Sequence, residues 1–378
     1  MDAQVAQRIA AAGPRSPDVE RPSRHGTAWL AVVFGFVGIS LGVGIGLRHL
    51  QVAGMSATAV AGLLALAAGL IATVLGAMTV YRGVRGRRRW LAVPVSLVMV
   101  WFVAWPLTVA LMATNVPPTR LGTETPADRG IAFADVTFMT ADGVRVSAWH
   151  VPSRNGAAVV VRHGATSTRS DALDEMVVLA QHGYGVLATD ARGHGRSGGV
   201  AMDWGWFGDL DTAAAVEYLS RRTDVDADRI AVVGLSIGGE EALGAVAADP
   251  RIRAVVVEGV SGRGTVADDD LTLPDDPRRW MNIAQSWIQQ GLADGLTDAS
   301  PPLGLREAVV TMAPRPALVI TGREALGGEV IAGRRLRAAA PAIVDLWEVP
   351  GAGHIGGVTT RPQQWEARVI RFLDRTLR

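Results

Sequence analysis

Three unbroken apolar runs stand before residue 115, and nothing else in the chain limits its fold so severely. They extend from about Ala28 to Leu47, Ala57 to Val80 and Trp90 to Ala113, none with an internal charge. A helix needs roughly 20 apolar residues to cross the hydrocarbon core of a bilayer, and each run is long enough. Core helices of water-soluble domains are usually shorter and keep a polar stripe. Three transmembrane helices are therefore expected over residues 27–114. Pro94 and Pro106 fall inside the third run, where membrane helices tolerate proline, and Trp90 suits an interfacial position.

Arginine placement sets the expected orientation. The chain has no lysine, so every fixed side-chain cation is an arginine. Arg8, Arg15, Arg21 and Arg24 lie before the first run, and Arg82, Arg85, Arg87, Arg88 and Arg89 follow the second. The loop between the first two runs has only Arg48 and His49. Basic loops stay cytoplasmic, so a multi-pass cell-membrane protein with a cytoplasmic N-terminus is expected. Everything beyond the third run would then emerge on the outer face. Two further spans follow the first, which argues against a cleaved signal peptide. The tail, residues 1–26, is rich in Ala, Pro and Arg and reads as disordered.

The remainder has a different grammar. After a linker at Asn115–Thr119, short apolar runs alternate with helical spacing from about residue 120 to the end. Ile131–Phe138 and Val144–Val151 suggest a hairpin turning at Asp142-Gly143. Strands are then expected at Ala157–Arg162, Tyr184–Thr189, Arg229–Leu235, Ala254–Glu258, Ala317–Thr321 and Ile343–Val349. Helices fall between them, and a last helix covers Pro362–Leu377. Such alternation implies an α/β domain with a mostly parallel sheet covered on both faces. It breaks between 261 and 313, where Asp268–Asp270 and Asp275-Asp276 precede a helical stretch at Trp280–Leu292. That insertion is expected to form a small cap over the mouth of a site.

Gly234-Leu235-Ser236-Ile237-Gly238 lies between a strand and a helix. A sharp turn there exposes the serine hydroxyl above the sheet, and small flanking residues permit the tight backbone. Ser236 is the candidate nucleophile, and the N–H of Ile237 can face a developing oxyanion. Serine needs a base to take its proton. His354 follows the last strand in Pro350-Gly351-Ala352-Gly353-His354 and can supply one. His163-Gly164-Ala165 follows the first buried strand, and the Ala165 N–H is the candidate second oxyanion donor, with His163 in a structural role. No metal-ligand spacing and no cofactor fingerprint is present. The absence of cysteine removes thiolate sites, and no basic patch with interleaved aromatics points to nucleic acid.

Residues 131–378 resemble an α/β-hydrolase, similar to the dienelactone hydrolase and prolyl-oligopeptidase-like branch and to membrane-anchored bacterial members. The resemblance rests on His163-Gly164, Asp190–Ser197, Gly234–Gly239 and Gly353-His354, which keep the family's order. It implies a serine hydrolase with a catalytic triad, acting on a small-molecule or lipid-like acyl substrate. It also implies that Asp190–Ser197 is a structural loop. The family usually carries its acid three residues after the glycine corresponding to Gly322, but that position is Ala325. Glu324, one residue earlier, is the first candidate, with Glu329 and Glu258 as alternatives. Glu258 could instead pair with Arg263. A catalytically silent receptor or scaffold, or an acyltransferase, would be the alternative uses of such a domain. The sequence leaves the oligomeric state open.

Overall fold

Glycine explains how closely the first two apolar helices pack. The computed structural model describes residues 24–83, 86–272, 277 and 279–377. The first helix, Gly26–Ala53, passes through a π-helical turn at Gly42–Leu47, and the second is Ala57–Gly83. Gly62, Gly69 and Gly76 of the second helix recur at heptad spacing along one edge. A Cβ on Gly69 would stand 2.6 Å from the Gly35 carbonyl oxygen, and one on Gly62 would stand 2.3 Å from Gly46 Cα. Small residues in this register let the two backbones approach closely, a packing that would also hold helices together within a bilayer. The third helix, Val93–Thr114, opens into a π-helical stretch at Val100–Ala104 just before Pro106. Proline has no N–H to donate and clashes with the preceding turn, which the wider stretch relieves. All three helices are long and apolar enough to cross a membrane. They turn Leu64, Ile71, Leu97 and other large apolar side chains outward.

Most of the basic tail, residues 1–23, lies outside the described residues, as do Arg85 and the Asp275-Asp276 pair. Residues 24–26, expected in the tail, already belong to the first helix.

The second region contains one eight-stranded sheet. Its strands are β1 (Ala134–Met139), β2 (Arg145–Val151), β3 (Ala158–Arg162), β4 (Gly185–Thr189), β5 (Ile230–Leu235), β6 (Ile252–Glu258), β7 (Ala317–Gly322) and β8 (Val344–Val349). They lie in the order β1-β2-β4-β3-β5-β6-β7-β8. The β1–β2 and β2–β4 pairs are antiparallel and the others parallel. The main helices are α1 (Leu173–Gln181), α2 (Gly208–Ser220), α3 (Ile237–Ala248), α4 (Arg279–Asp294), α5 (Leu305–Thr311), α6 (Glu329–Ala339) and α7 (Pro362–Thr376).

Period-two alternation builds two cores, one on each face. Ala231 and Val233 of β5 pack with residues of α1 and α7, whereas Ile230 and Val232 pack with α2, α3, α5 and α6. Strands buried on both faces need apolar residues at every position, which is why β3 to β6 are valine-rich. From β3 the chain goes to β4 on one side and returns to β5 on the other. A crevice opens at the carboxyl ends of strands where the order reverses in this way. His163 and Ser236 directly follow those two ends.

The insertion between β6 and β7 contains a single helical turn at Asp269–Thr272, then α4 and α5. Helix α4 packs on the third apolar helix: Gln285 donates its amide N–H to the Trp101 carbonyl, and Ala293 joins Ala110, Met202 and Trp206 in a small core. Arg48, buried near the end of the first helix, donates to the Met112 carbonyl and to the Asp203 carboxylate. The apolar helices and the sheet domain are thus joined by side chains from both.

Candidate active site

Ser236 sits between β5 and α3 with φ 54° and ψ −124°. A side chain held there costs on the order of 1–3 kcal/mol and persists only where the surroundings enforce it. The Ser236 N–H donates to the Glu258 carbonyl at 2.7 Å, and its own carbonyl accepts from the Gly239 N–H at 2.8 Å. The flanking glycines leave no slack. A Cβ on Gly234 would lie 2.3 Å from the Gly238 carbonyl oxygen, and one on Gly238 would lie 2.4 Å from the His163 carbonyl oxygen. The end of β5, the start of α3 and the end of β3 therefore meet with room for backbone alone. Among the described residues, three non-glycine positions have positive φ: Thr166, Ser236 and Ile355. Each carries, or directly follows, one of the proposed site residues Ala165, Ser236 and His354.

The histidine loop after β8 brings His354 Nε2 to 2.9 Å from Ser236 Oγ. On the other side of the ring, Nδ1 lies 2.7 Å from Glu329 Oε2. Glu329 is 1% exposed, and its Oε1 accepts the Gly322 N–H at 2.7 Å. The hydrogen bond that His354 Nδ1–H donates to Glu329 holds the His354 pKa above its ordinary value, outweighing the opposite effect of burial.

The carboxylate that reaches His354 is thus Glu329, not Glu324. Glu324 is exposed, and its backbone N–H, rather than its carboxylate, is what is bound, to the Ala352 carbonyl at 2.9 Å. The chain runs on past Gly322 through Gly327 and Gly328, both at positive φ, before Glu329 opens α6 and points back to the end of β7. Glu258 is also buried but has another task. It accepts from the Gly357 N–H at 2.6 Å and from Trp365 Nε1 at 3.0 Å, bracing the far end of the histidine loop. It does not pair with Arg263, whose partner is Asp209 at 2.9 Å.

Ile237 is the first residue of α3, so its N–H has no acceptor within the helix. Neither it nor the Ala165 N–H has a hydrogen-bond acceptor among the described residues. A Cβ on Gly164 would stand 3.2 Å from Ser236 Cβ, so the strand end carrying Ala165 lies against the serine. His163 fixes that turn: its Nε2 accepts the Ala191 N–H at 2.9 Å, which leaves Nδ1–H to donate to the Gly164 carbonyl at 2.7 Å. Burial holds its pKa well below the ordinary value and keeps it neutral. Asp190 completes the support by accepting the Arg169 and Arg196 N–H groups at 3.0 and 2.8 Å.

A cleft of about 320 Å³ opens at Ser236, lined also by Ala165, Ser167, Asp171, Leu235, His354 and Ile355. Among the described residues, none that lines the cleft comes from 261–313, so the described part of the insertion does not cap the serine as expected. It lies against the apolar helices because the inward side of α4 hydrogen-bonds there. A larger hollow of about 830 Å³ between His182 and α7 shares no residue with this cleft.

Sequence reasoning missed two features. One is the buried network behind Ile237, where Arg162 pairs with Glu241 and Arg192 with Asp211. An arginine closing the valine run of β3 was its only signal. The other is the Arg48–Asp203 contact. Arg48 is a lone charge at the end of an apolar run, but its partner lies 155 residues away.

A central crossover serine on a sharp strand-to-helix turn, with a histidine after the last strand, defines an α/β hydrolase. Residues 153–296 match the family model described as serine aminopeptidase, S33, a stretch that includes Ser236 but ends before Glu329 and His354. The esterase Pf2001 of Pyrococcus furiosus superposes with a TM-score of 0.54 at 25% identity, over 69% of this chain and 100% of that one. The uncharacterized protein Rv2307c of Mycobacterium tuberculosis is 38% identical over 30% of this chain and 41% of its own length. The alpha/beta hydrolase domain-containing protein WAV2 of Arabidopsis thaliana is 32% identical over 32% of this chain and 40% of its own. The chain spans less than half the length of these curated relatives. Its sheet domain has the α/β-hydrolase fold.

Proposed function

We propose that this chain is a membrane-anchored serine hydrolase of esterase type that works through an acyl-serine intermediate. The observation that carries the reading is the unbroken relay Ser236 Oγ–His354–Glu329. His354 Nε2 takes the Ser236 proton as Oγ attacks the acyl carbonyl. The Ile237 and Ala165 N–H groups receive the oxyanion, each worth roughly 3 kcal/mol in such a barrier. The imidazolium then protonates the leaving group. Water, deprotonated by the same histidine, attacks the acyl-serine; the imidazolium then returns that proton to Ser236 Oγ as the acyl C–O bond breaks and the acid leaves. Glu329 orients the ring and stabilises the imidazolium without taking the proton.

An ester is favoured over a peptide because the cleft is small, about 320 Å³, and among the described residues only the sheet domain lines it; the solved esterase of similar fold supports the same choice. The anchor favours a lipid-like acyl substrate. With Glu329 on His354, nothing in the site favours a silent scaffold. A fluorophosphonate probe tests the reading: the wild type should be labelled and Ser236→Ala should not. Equal labelling of both would sink it.

Orientation is a separate expectation, resting on the arginines that flank the apolar helices. The native chain has no cysteine, so one introduced by Glu366→Cys gives a single reporter on α7. In intact cells it should react with a membrane-impermeant maleimide. Reaction only after cell lysis would place the hydrolase domain inside.

A further inference from the structure

Helix α4 is inside out for a water-exposed helix. An amphipathic helix on a soluble domain turns its apolar side inward and its polar side to solvent. In α4 the amides point inward. Gln285, 5% exposed, donates to the Trp101 carbonyl. Ser286 Oγ donates to Asp269 at 2.7 Å, and Gln290 Oε1 accepts the Val266 N–H at 2.8 Å. The outward side instead carries Trp280 and Trp287, seven residues apart on one face, at 65% and 62% exposure. Two such tryptophans in water forfeit most of the gain from burying large aromatic surfaces.

The place of α4 says what covers them. Its inner side is bonded to the third apolar helix at Trp101, which stands about 20 Å along that helix from Thr114 at 1.5 Å rise per residue. Trp101 and Trp105 are themselves exposed, so the span also presents open aromatic surface where α4 is bonded to it. A helix held against a membrane span that far from its end shares the span's surroundings. Polar groups turned toward protein and aromatic groups turned outward is the arrangement that lipid requires.

We infer that α4 is a lipid-contacting helix: its Trp280–Trp287 face lies in the bilayer beside the third span. The insertion then works as a second, non-spanning attachment rather than as a lid over Ser236. The helix joins the loop around Met202 and Trp206, and Gly205 of that loop packs against Ile237: a Cβ added there would lie 2.9 Å from Ile237 Cγ1. The attachment therefore holds the oxyanion side of the site at the membrane surface. The inference rests on the reading of the three apolar helices as membrane spans.

Spin labels on single cysteines test both levels separately, because the native chain has none. Trp287→Cys and Trp280→Cys report on α4, Leu70→Cys on the outward face of the second apolar helix, and Glu366→Cys on the aqueous surface. Each full-length variant is reconstituted into phosphatidylcholine vesicles, and collisions with oxygen and with a water-soluble nickel chelate are compared. Both α4 labels should favour oxygen over nickel, the order expected at Leu70→Cys and the reverse of that at Glu366→Cys. Nickel-dominated collisions at both α4 sites, with Leu70→Cys still oxygen-dominated, overturn the lipid contact and leave the spans intact. Water exposure at Leu70→Cys overturns the membrane reading and the inference with it. Strong spin–spin broadening at Trp287→Cys would mean that a second copy, not lipid, covers the face, and that too overturns it.

Discussion

Ser236→Ala is expected to lower kcat for p-nitrophenyl ester hydrolysis by about 10⁴- to 10⁶-fold while leaving the fold in place. Losing a nucleophile of this kind removes the acyl-enzyme route, and what remains comes from the oxyanion donors and substrate binding. The proposed donors are backbone groups of Ile237 and Ala165, so the substitution does not touch them. Stability should scarcely move. Alanine keeps the Cβ at the same positive φ, and Ser236 Oγ makes one hydrogen bond, to His354. Losing a partly exposed bond of that sort costs about 1 kcal/mol or less. Steady-state kinetics and thermal unfolding, run on the same detergent-solubilised preparation, separate the two effects. A loss of less than about 100-fold would mean that another group carries the attack. A large loss together with a collapsed unfolding midpoint would point to a damaged turn instead.

Serine and histidine were legible because each stands where chain order alone places it. Ser236 follows a buried strand and precedes a helix, and the small residues on either side of it permit the tight turn. His354 follows the last strand, and a short loop from there reaches the centre of the sheet. The acid was not legible for a physical reason. Which carboxylate reaches Nδ1 depends on the path of residues 323–328, and that path turns on the positive φ of Gly327 and Gly328. Counting residues from Gly322 favours Glu324, yet its side chain leaves the loop toward solvent. The insertion failed in a related way. The pattern of α4 announces two unlike faces but not which one turns inward, because that depends on whether water or lipid lies outside. The glycines of the second apolar helix show the same limit: their spacing marks a close-packed edge, and only the folded chain identifies its partner as the first helix.

Glu329→Gln should cost about 10³- to 10⁴-fold in kcat, whereas Glu324→Gln should leave activity within about two-fold, since an exposed side chain off the relay has little leverage on the transition state. Glutamine is nearly the same size, but it cannot both accept the Gly322 N–H and offer a negative acceptor to His354 Nδ1–H. Its amide N–H₂ would favour the wrong tautomer and leave the imidazolium unsupported. The pH profile distinguishes this from mere disturbance. Glu329 raises the His354 pKa, so in the wild type the neutral base, and with it activity, appears as pH rises through a midpoint above the ordinary value of 6.5. In Glu329→Gln that midpoint should move down. Stability runs the opposite way: a raised folded-state pKa stabilises the fold below the unfolded value and loses that contribution as pH rises through the folded one. The pair should therefore stabilise most where the enzyme is least active. If Glu324→Gln proves the more damaging, or the acid limb stays put in Glu329→Gln, Glu329 is not the carboxylate that serves His354.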